Sequence, residues 1–350
     1  MMRRLGLLAL LAIAAIGALA GWLEIQIDKP YRGHRPDKVY VDIPHGSSRS
    51  QIAGILGRND VVRNRLAFLL FSEWHHRAPM QAGEYLIDRP MNAREVFWKI
   101  AKGQIFVHNV VIPEGWTMYD IANDLERQHI CTRSEFLIAA HETSLISDLA
   151  PHAQSLEGFL FPSTYEFTRR ATCAEVVKRM VSDFRSTWES IDPGNSREFP
   201  QGLSLEQVVT IASLVERETP NSDERPLVAG VFYNRLRQGY RLQCDPTVQY
   251  ALELDGMMEH NLHPADLRIN SPYNTYEHRG LPPGPIANPG EAALKAALNP
   301  AKTDYLYFVA NAQGGHYFSK TLKEQDRNID RLRRAIADEQ SDPHPKKDRN

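Results

Sequence analysis

The chain of 350 residues balances 41 Lys and Arg against 43 Asp and Glu, for a formal net charge of −2. At 42% hydrophobic and 24% charged it can bury a core, and its length suits two or three compact units. Near-neutral charge argues against a nucleic-acid binder, the lack of a Gly-rich phosphate loop against a nucleotide enzyme, and three cysteines without CxxC spacing against a cysteine-based zinc site.

The first expected element is an apolar helix. Arg3 and Arg4 precede Leu5 to Leu23, a stretch without a charged residue that ends at Glu24. At about 1.5 Å per residue it would span roughly 28 Å, close to a bilayer's hydrocarbon thickness. The positive-inside rule then leaves residues 1–4 in the cytoplasm, makes 5–23 a single-pass anchor, and exports everything after Trp22. A cleaved signal peptide is the competing reading, because Ala18-Leu19-Ala20 fits a small-x-small pattern. Outside the membrane disulfides are permitted, so Cys131 and Cys173 either form a bridge or stay as two buried thiols.

A repeat follows at an offset of 69 residues. Val41-Asp42-Ile43-Pro44-His45-Gly46 returns as Val110-Val111-Ile112-Pro113-Glu114-Gly115, Ile52-Ala53 and Leu56 return as Ile121-Ala122 and Leu125, and Phe68 falls opposite Leu137. Each copy reads as a strand, a Pro-x-Gly turn and an amphipathic helix. In the first copy a second helix near 66–74 and a strand near 83–87 complete a β-α-α-β unit. Such units resemble LysM modules, which bind N-acetylglucosamine-containing glycans. The alternative is a structural duplication without a ligand.

Beyond the repeat, Pro162 stops an apolar run, Tyr165 and Phe167 share one face of a strand, and 172–190 reads as a helix before an Asp192–Ser196 loop. Ser204 and Gln207 form a capping box that opens a helix apolar on nearly every side and ended by Pro220. Its last turn is Val215-Glu216-Arg217-Glu218-Thr219. Glu216 lies one turn after Ala212, on the apolar stripe, and Glu218 points nearly opposite. A desolvated carboxyl there would keep a proton at neutral pH and serve as a general acid; the bland alternative is a Glu216 paired with Arg217 or Arg225. Asp223 is expected to cap the next helix, which Gly239 terminates.

Three loops come next: Leu242-Gln243-Cys244-Asp245-Pro246-Thr247, Ser271-Pro272-Tyr273-Asn274-Thr275-Tyr276, and 280–290 with its prolines. Aromatic faces, amides and rigid prolines suit sugars. A short helix after Pro289, a hairpin joining 305–309 to 316–319, and an amphipathic helix over 320–338 on Leu322, Ile329, Leu332 and Ile336 complete the reading. His316 reads as structural. The tail from Ser341 is charged and reads as disordered.

At Leu156-Glu157-Gly158-Phe159-Leu160-Phe161-Pro162, Ala212–Thr219, Arg241–Thr247, Tyr273-Asn274-Thr275-Tyr276 and Gly280–Ile286 the sequence resembles the endolytic murein transglycosylase, or YceG-like, family. The resemblance covers roughly 5–335, with Ser163 and Cys244 standing where Asp and Thr are frequent. It implies an inner-membrane enzyme that cuts glycan strands internally to leave 1,6-anhydro-N-acetylmuramic ends, with Glu216 as its catalytic glutamate. Gln243, Asp245, Asn274 and Tyr276 are candidates to orient the sugar; Glu157, Glu218 and Asn288 complete the substrate-binding set, although Glu157 and Glu218 also read as structural. The expected fold is α+β: an anchor at 5–23, a LysM-like module at 38–105, a second partial repeat at 106–155, a mixed α/β catalytic domain at 156–338 and a tail at 339–350. Peptidoglycan strands, the inner membrane and peptidoglycan synthases are the expected partners, with no nucleic acid. No metal or cofactor is expected; a pyridoxal-phosphate lyase is disfavoured because no lysine occurs between 179 and 294. A non-catalytic peptidoglycan-binding scaffold and a hydrolytic muramidase are the alternatives.

Overall fold

The structure, a computed structural model, describes residues 2–33, 37–168, 171–192, 198–257 and 262–341. The expected loop at Pro193–Ser196 and the tail from 342 lie outside them. Contacts divide the chain into two compact units, Met1–Asn109 with Glu166–Arg170, and Val110–Tyr165 with Ala171–Asn350.

In the first unit helix α1 spans Met2–Asp28 and covers the expected anchor. Among the described residues no helix is long and apolar enough to cross a membrane. The side chains of residues 1–9 and 12, within or beside that segment, lie outside the described ones. Strand β1 (Val39–Ile43) pairs antiparallel with β2 (Gly83–Ile87), with Val41 opposite Tyr85. Alternation turns Val41 and Ile43 inward, where α2 (Arg49–Arg58), α3 (Arg65–Trp74) and α4 (Ala93–Ala101) cover them with Ile52, Leu56, Phe68, Val96 and Phe97.

The second unit opens with the second copy of the repeat. Strand β3 (His108–Val111) leads to α5 (Met118–Arg127), which keeps the 69-residue offset from α2 at both ends. Both copies carry a capping box, Ser48 with Gln51 and Thr117 with Asp120. Both turns need a left-handed glycine, Gly46 at φ +74° and Gly115 at φ +79°. The register then slips. Helix α6 (Arg133–Ala140) follows α5 after residues 128–132, one residue fewer than the 59–64 connection of the first copy. The counterpart of buried Phe68 is therefore Phe136, fully buried, and not Leu137. Strand β4 (Thr164–Phe167) pairs with β3, its Tyr165 and Phe167 both turned inward. Cys131 and Cys173 form a disulfide with a Cα–Cα distance of 5.8 Å.

The remainder is built around a buried helix. α7 (Cys173–Ile191) packs on α6, and α8 (Leu205–Glu218) packs against α9 (Arg225–Arg237), α10 (Asp245–Leu254) and α11 (Glu291–Leu298). Every residue of α8 from Val208 to Val215 is buried, as its all-round apolar pattern requires. Two local expectations change. Asp223 does not cap α9: Glu224 occupies the cap without a side-chain bond, and Pro226 presets the first turn instead. The expected loop at 242–247 turns helical at Asp245, again with a proline, Pro246, in the first turn. Strands β5 (Tyr307–Ala310) and β6 (His316–Ser319) form the expected hairpin, and α12 (Leu322–Ser341) ends the described chain. Leu322 and Ile336, expected on its apolar side, are exposed; Ile329 and Leu332 are half-buried.

Candidate functional site

The last turn of α8 sends two carboxylates into different surroundings. Glu216 is ion-paired: Arg225 Nη2 donates to its Oε1 at 2.7 Å, with both side chains over 90% buried. The Gly290 N–H donates to Oε2 at 3.0 Å. Arg225 also reaches Glu114 at 3.5 Å, and the Arg217 guanidinium donates to the Gly115 carbonyl at 3.0 Å. Glu114 presses so close to Gly290 that a Cβ there would lie 1.9 Å from its Oε1. Burial pushes the Glu216 carboxyl up, Gly290 and Arg225 pull it down, and the Glu114 charge pushes it up again, with a net rise. Glu216 is desolvated with a raised carboxyl, as expected, and it also carries the ion pair of the alternative reading. Of the two arginines considered, Arg225 is the partner.

Glu218 faces the other way. The Cys244 thiol hydrogen-bonds to its carboxyl, and Asp245 lies close enough to repel it. Burial is the largest influence and raises its pKa; the thiol pulls it back, Asp245 pushes it up, and His316 and Arg235 act against that push through space. The surrounding cluster is held by backbone bonds. The Gln243 N–H donates to the Thr275 carbonyl at 3.1 Å, and the Cys244 N–H donates to Thr275 Oγ1 at 3.0 Å. The Tyr276 hydroxyl donates to Asp245. Arg235 ties the Leu242 carbonyl to that of Leu306. His316 is held by Glu224, Nδ1 to Oε2 at 2.6 Å and N–H to Oε1 at 2.9 Å. Burial pushes Glu224 up, but these His316 bonds outweigh it and hold the carboxyl low.

Three of the expected sugar contacts are interior framework. Glu157 is 2% exposed and accepts the Met118 N–H at 3.0 Å, Asn288 Nδ2 at 2.7 Å and the Tyr250 hydroxyl at 3.2 Å. It closes the first turn of α5, where an acceptor is needed. Burial pushes its pKa up to about 8 against those donors. Fully buried Asn288 accepts from the Gly158 and Leu160 N–H groups, both at 2.9 Å, and so binds the Leu156–Pro162 motif to the 280–290 loop. Asn274, also fully buried, donates to the Leu267 and Ile269 carbonyls at 3.1 and 2.9 Å. Gln243 and Asp245 are exposed and Tyr276 half-buried, so these three can meet a ligand. Among the described residues no cluster of three metal-ligating side chains occurs.

Sequence reasoning missed Cys244, Arg235 and His316 as neighbours of Glu218. Only Cys244 left a signal, as an atypical residue inside a motif. The others meet Glu218 through the fold of α9 and the β5–β6 hairpin, which spacing does not reveal.

Fold and site together define an α+β protein whose chemistry-bearing groups converge on the end of one buried helix. The YceG-like family matches residues 41–331, and the chain belongs to that family. The endolytic murein transglycosylase of Bacillus subtilis (strain 168) is 35% identical over 305 residues, 83% of each chain. That of Streptococcus pneumoniae serotype 2 (strain D39 / NCTC 7466) is 28% identical over 92% of this chain, which spans 63% of the streptococcal protein. The crystal structure of a yceG-like protein from Listeria monocytogenes superposes with a TM-score of 0.56 at 33% identity, covering 83% of this chain and 98% of the other.

Proposed function

We propose that the chain is a lyase of the cell envelope, an endolytic peptidoglycan lytic transglycosylase, and that Glu218 is its acid and then its base. The observation that carries the reading is the desolvated Glu218 carboxyl, set against Cys244 and Asp245 and beside Gln243 and Tyr276. A carboxyl raised by burial can hold a proton at neutral pH, whereas one clamped by a guanidinium and a backbone N–H is better suited to hold structure. Protonated Glu218 gives its proton to the oxygen bridging N-acetylmuramic acid and N-acetylglucosamine, and the C1–O bond breaks through an oxocarbenium-like transition state. The carboxylate then takes the proton of the C6 hydroxyl of the same muramic residue, whose oxygen closes on C1. No water is consumed, and the leaving sugar keeps the first proton. The intramolecular attack is favoured by its high effective concentration.

The uncharged run at 5–23 supports an inner-membrane anchor, the doubled β-α-α-β pattern supports glycan binding by a LysM-like module, and the names of the relatives support murein as substrate and cell-wall synthesis, with its synthases, as the setting. Proximity of Asp245 to Glu218 favours one rival, a muramidase in which a second carboxylate activates water. Digestion of purified peptidoglycan by the outer part of the chain separates them: transglycosylase products lack the water that hydrolysis adds. Reducing ends in place of anhydro ends would establish the rival.

A further inference from the structure

Near the opposite end of α8 lies a cavity of about 710 Å³ that the chemistry at Glu218 does not use. Glu206 stands in it, half-buried, its carboxyl raised by desolvation and accepting no hydrogen bond from the described residues; His152 lies near enough to favour its charge. Gln201 and Gln207 add amides: Gln201 spends its Nε2 on the Tyr233 carbonyl and Gln207 its Oε1 on the Ser204 N–H, leaving one amide group free on each. Leu281 and Pro283 supply an apolar wall from the Gly280–Ile286 motif. A polar floor of one carboxyl and two amides against an apolar wall matches a pyranose, with its ring of hydroxyls and its CH face.

The Ser271–Tyr276 loop links the surroundings of this cavity to those of the acid. Tyr273 feels the Glu206 charge, and its hydroxyl lies 3.6 Å from where a Cβ on Gly284 would stand, which places it beside the same motif. Three residues on, Tyr276 bonds to Asp245 next to Cys244 and Glu218. Tyr273 and Tyr276 are half-buried and Asn274 and Thr275 buried, so the loop offers two rings between the two sites. Leu205 and Glu218, at the two ends of α8, are roughly 20 Å apart along the helix, a distance of several sugars.

We propose that this cavity is a distal subsite for an N-acetylated hexosamine of the same glycan strand, several sugars from the bond cleaved, so that the enzyme favours long strands. The inference rests on the function proposed above. Its test uses peptide-free glycan strands sorted by length, with Glu206→Ala and Leu281→Ala compared against the unaltered protein. For long strands KM rises about fivefold with kcat unchanged, and for fragments too short to reach the cavity neither constant moves, the pattern of lost uniform binding. A KM independent of the substitutions on long strands, or an equal loss of kcat on long and short ones, would overturn it. If the unaltered protein cleaves no strand, the proposed function fails, and the subsite is judged by binding alone. N-acetylglucosamine tetramer must then shift the resonances of Glu206 and Leu281 in the unaltered protein; no shift rejects the subsite.

Discussion

The two sides of the final turn of α8 differ in how each carboxylate is satisfied. On the Glu216 side a guanidinium and a backbone N–H meet both oxygens, and the same arginine reaches Glu114 in the Pro-Glu-Gly turn of the second repeat. That side joins α8, α9, the repeat turn and the loop before α11. On the Glu218 side the hydrogen-bond partner is a thiol, a weak donor, and the neighbouring Asp245 repels. Burial raises both carboxyls, but the first is held by two strong donors and the second by one weak one. In the proposed function, a pair of glutamates two residues apart thus divides structure from chemistry through its neighbours.

The largest effect expected from breaking this contrast is on turnover. Glu218→Gln lowers kcat on purified glycan by about 10²–10⁴-fold, the range for a lost general acid, while circular dichroism and melting temperature stay as in the unaltered protein. Glu216→Gln does the reverse. It removes the main counter-charge of a buried guanidinium and costs about 3–5 kcal/mol of stability in denaturant titration, whereas turnover measured below the melting transition stays within about tenfold. A turnover loss as deep as that of Glu218→Gln would erase the distinction.

Glu157 sharpens the comparison through pH. Its pKa is about 8 when folded and near the ordinary 4.5 when unfolded, so the folded state holds the extra proton between those values. Stability contributed by that proton is present below about 4.5, falls as pH rises through that window, and levels off above about 8. Glu157→Gln, which carries no titrating proton, flattens this fall in urea titrations run from pH 5 to 9. The smallest effect concerns Cys244. A hydroxyl donates more strongly than a thiol, so Cys244→Ser stabilises the Glu218 carboxylate and moves the alkaline limb of kcat/KM to lower pH. Cys244→Ala, which removes the donor, moves it up. An unmoved limb in both variants would mean that Glu218 is not the group titrating in the rate.

Much of the frame could be read from residue pattern. The Ser204–Gln207 cap, the all-round apolar α8, the hairpin across Gly314-Gly315 and the doubled Pro-x-Gly turn each follow from local rules, and the structure keeps them. Slips came where one residue changes register, as at Phe136, or where proline starts a helix inside an expected loop, as at Asp245 and Pro246. The site was less legible. The motif containing Glu216 and Glu218 marks the place, and helical geometry places them on opposite sides, but spacing does not say which side receives Arg225 and which receives Cys244. Asn274, Asn288 and Glu157 look like sugar ligands by residue type, yet Asn274 is consumed by carbonyls five and seven residues back, and Asn288 and Glu157 by backbone groups far away in sequence that only the fold supplies.

The central assignment is tested most directly by digesting the same purified peptidoglycan with the unaltered protein, Glu216→Gln and Glu218→Gln, and weighing the products. Anhydro-ended fragments from the first two and none from the third is the result expected here. Abundant anhydro ends from Glu218→Gln, with none from a folded Glu216→Gln, would return the proton donor to position 216.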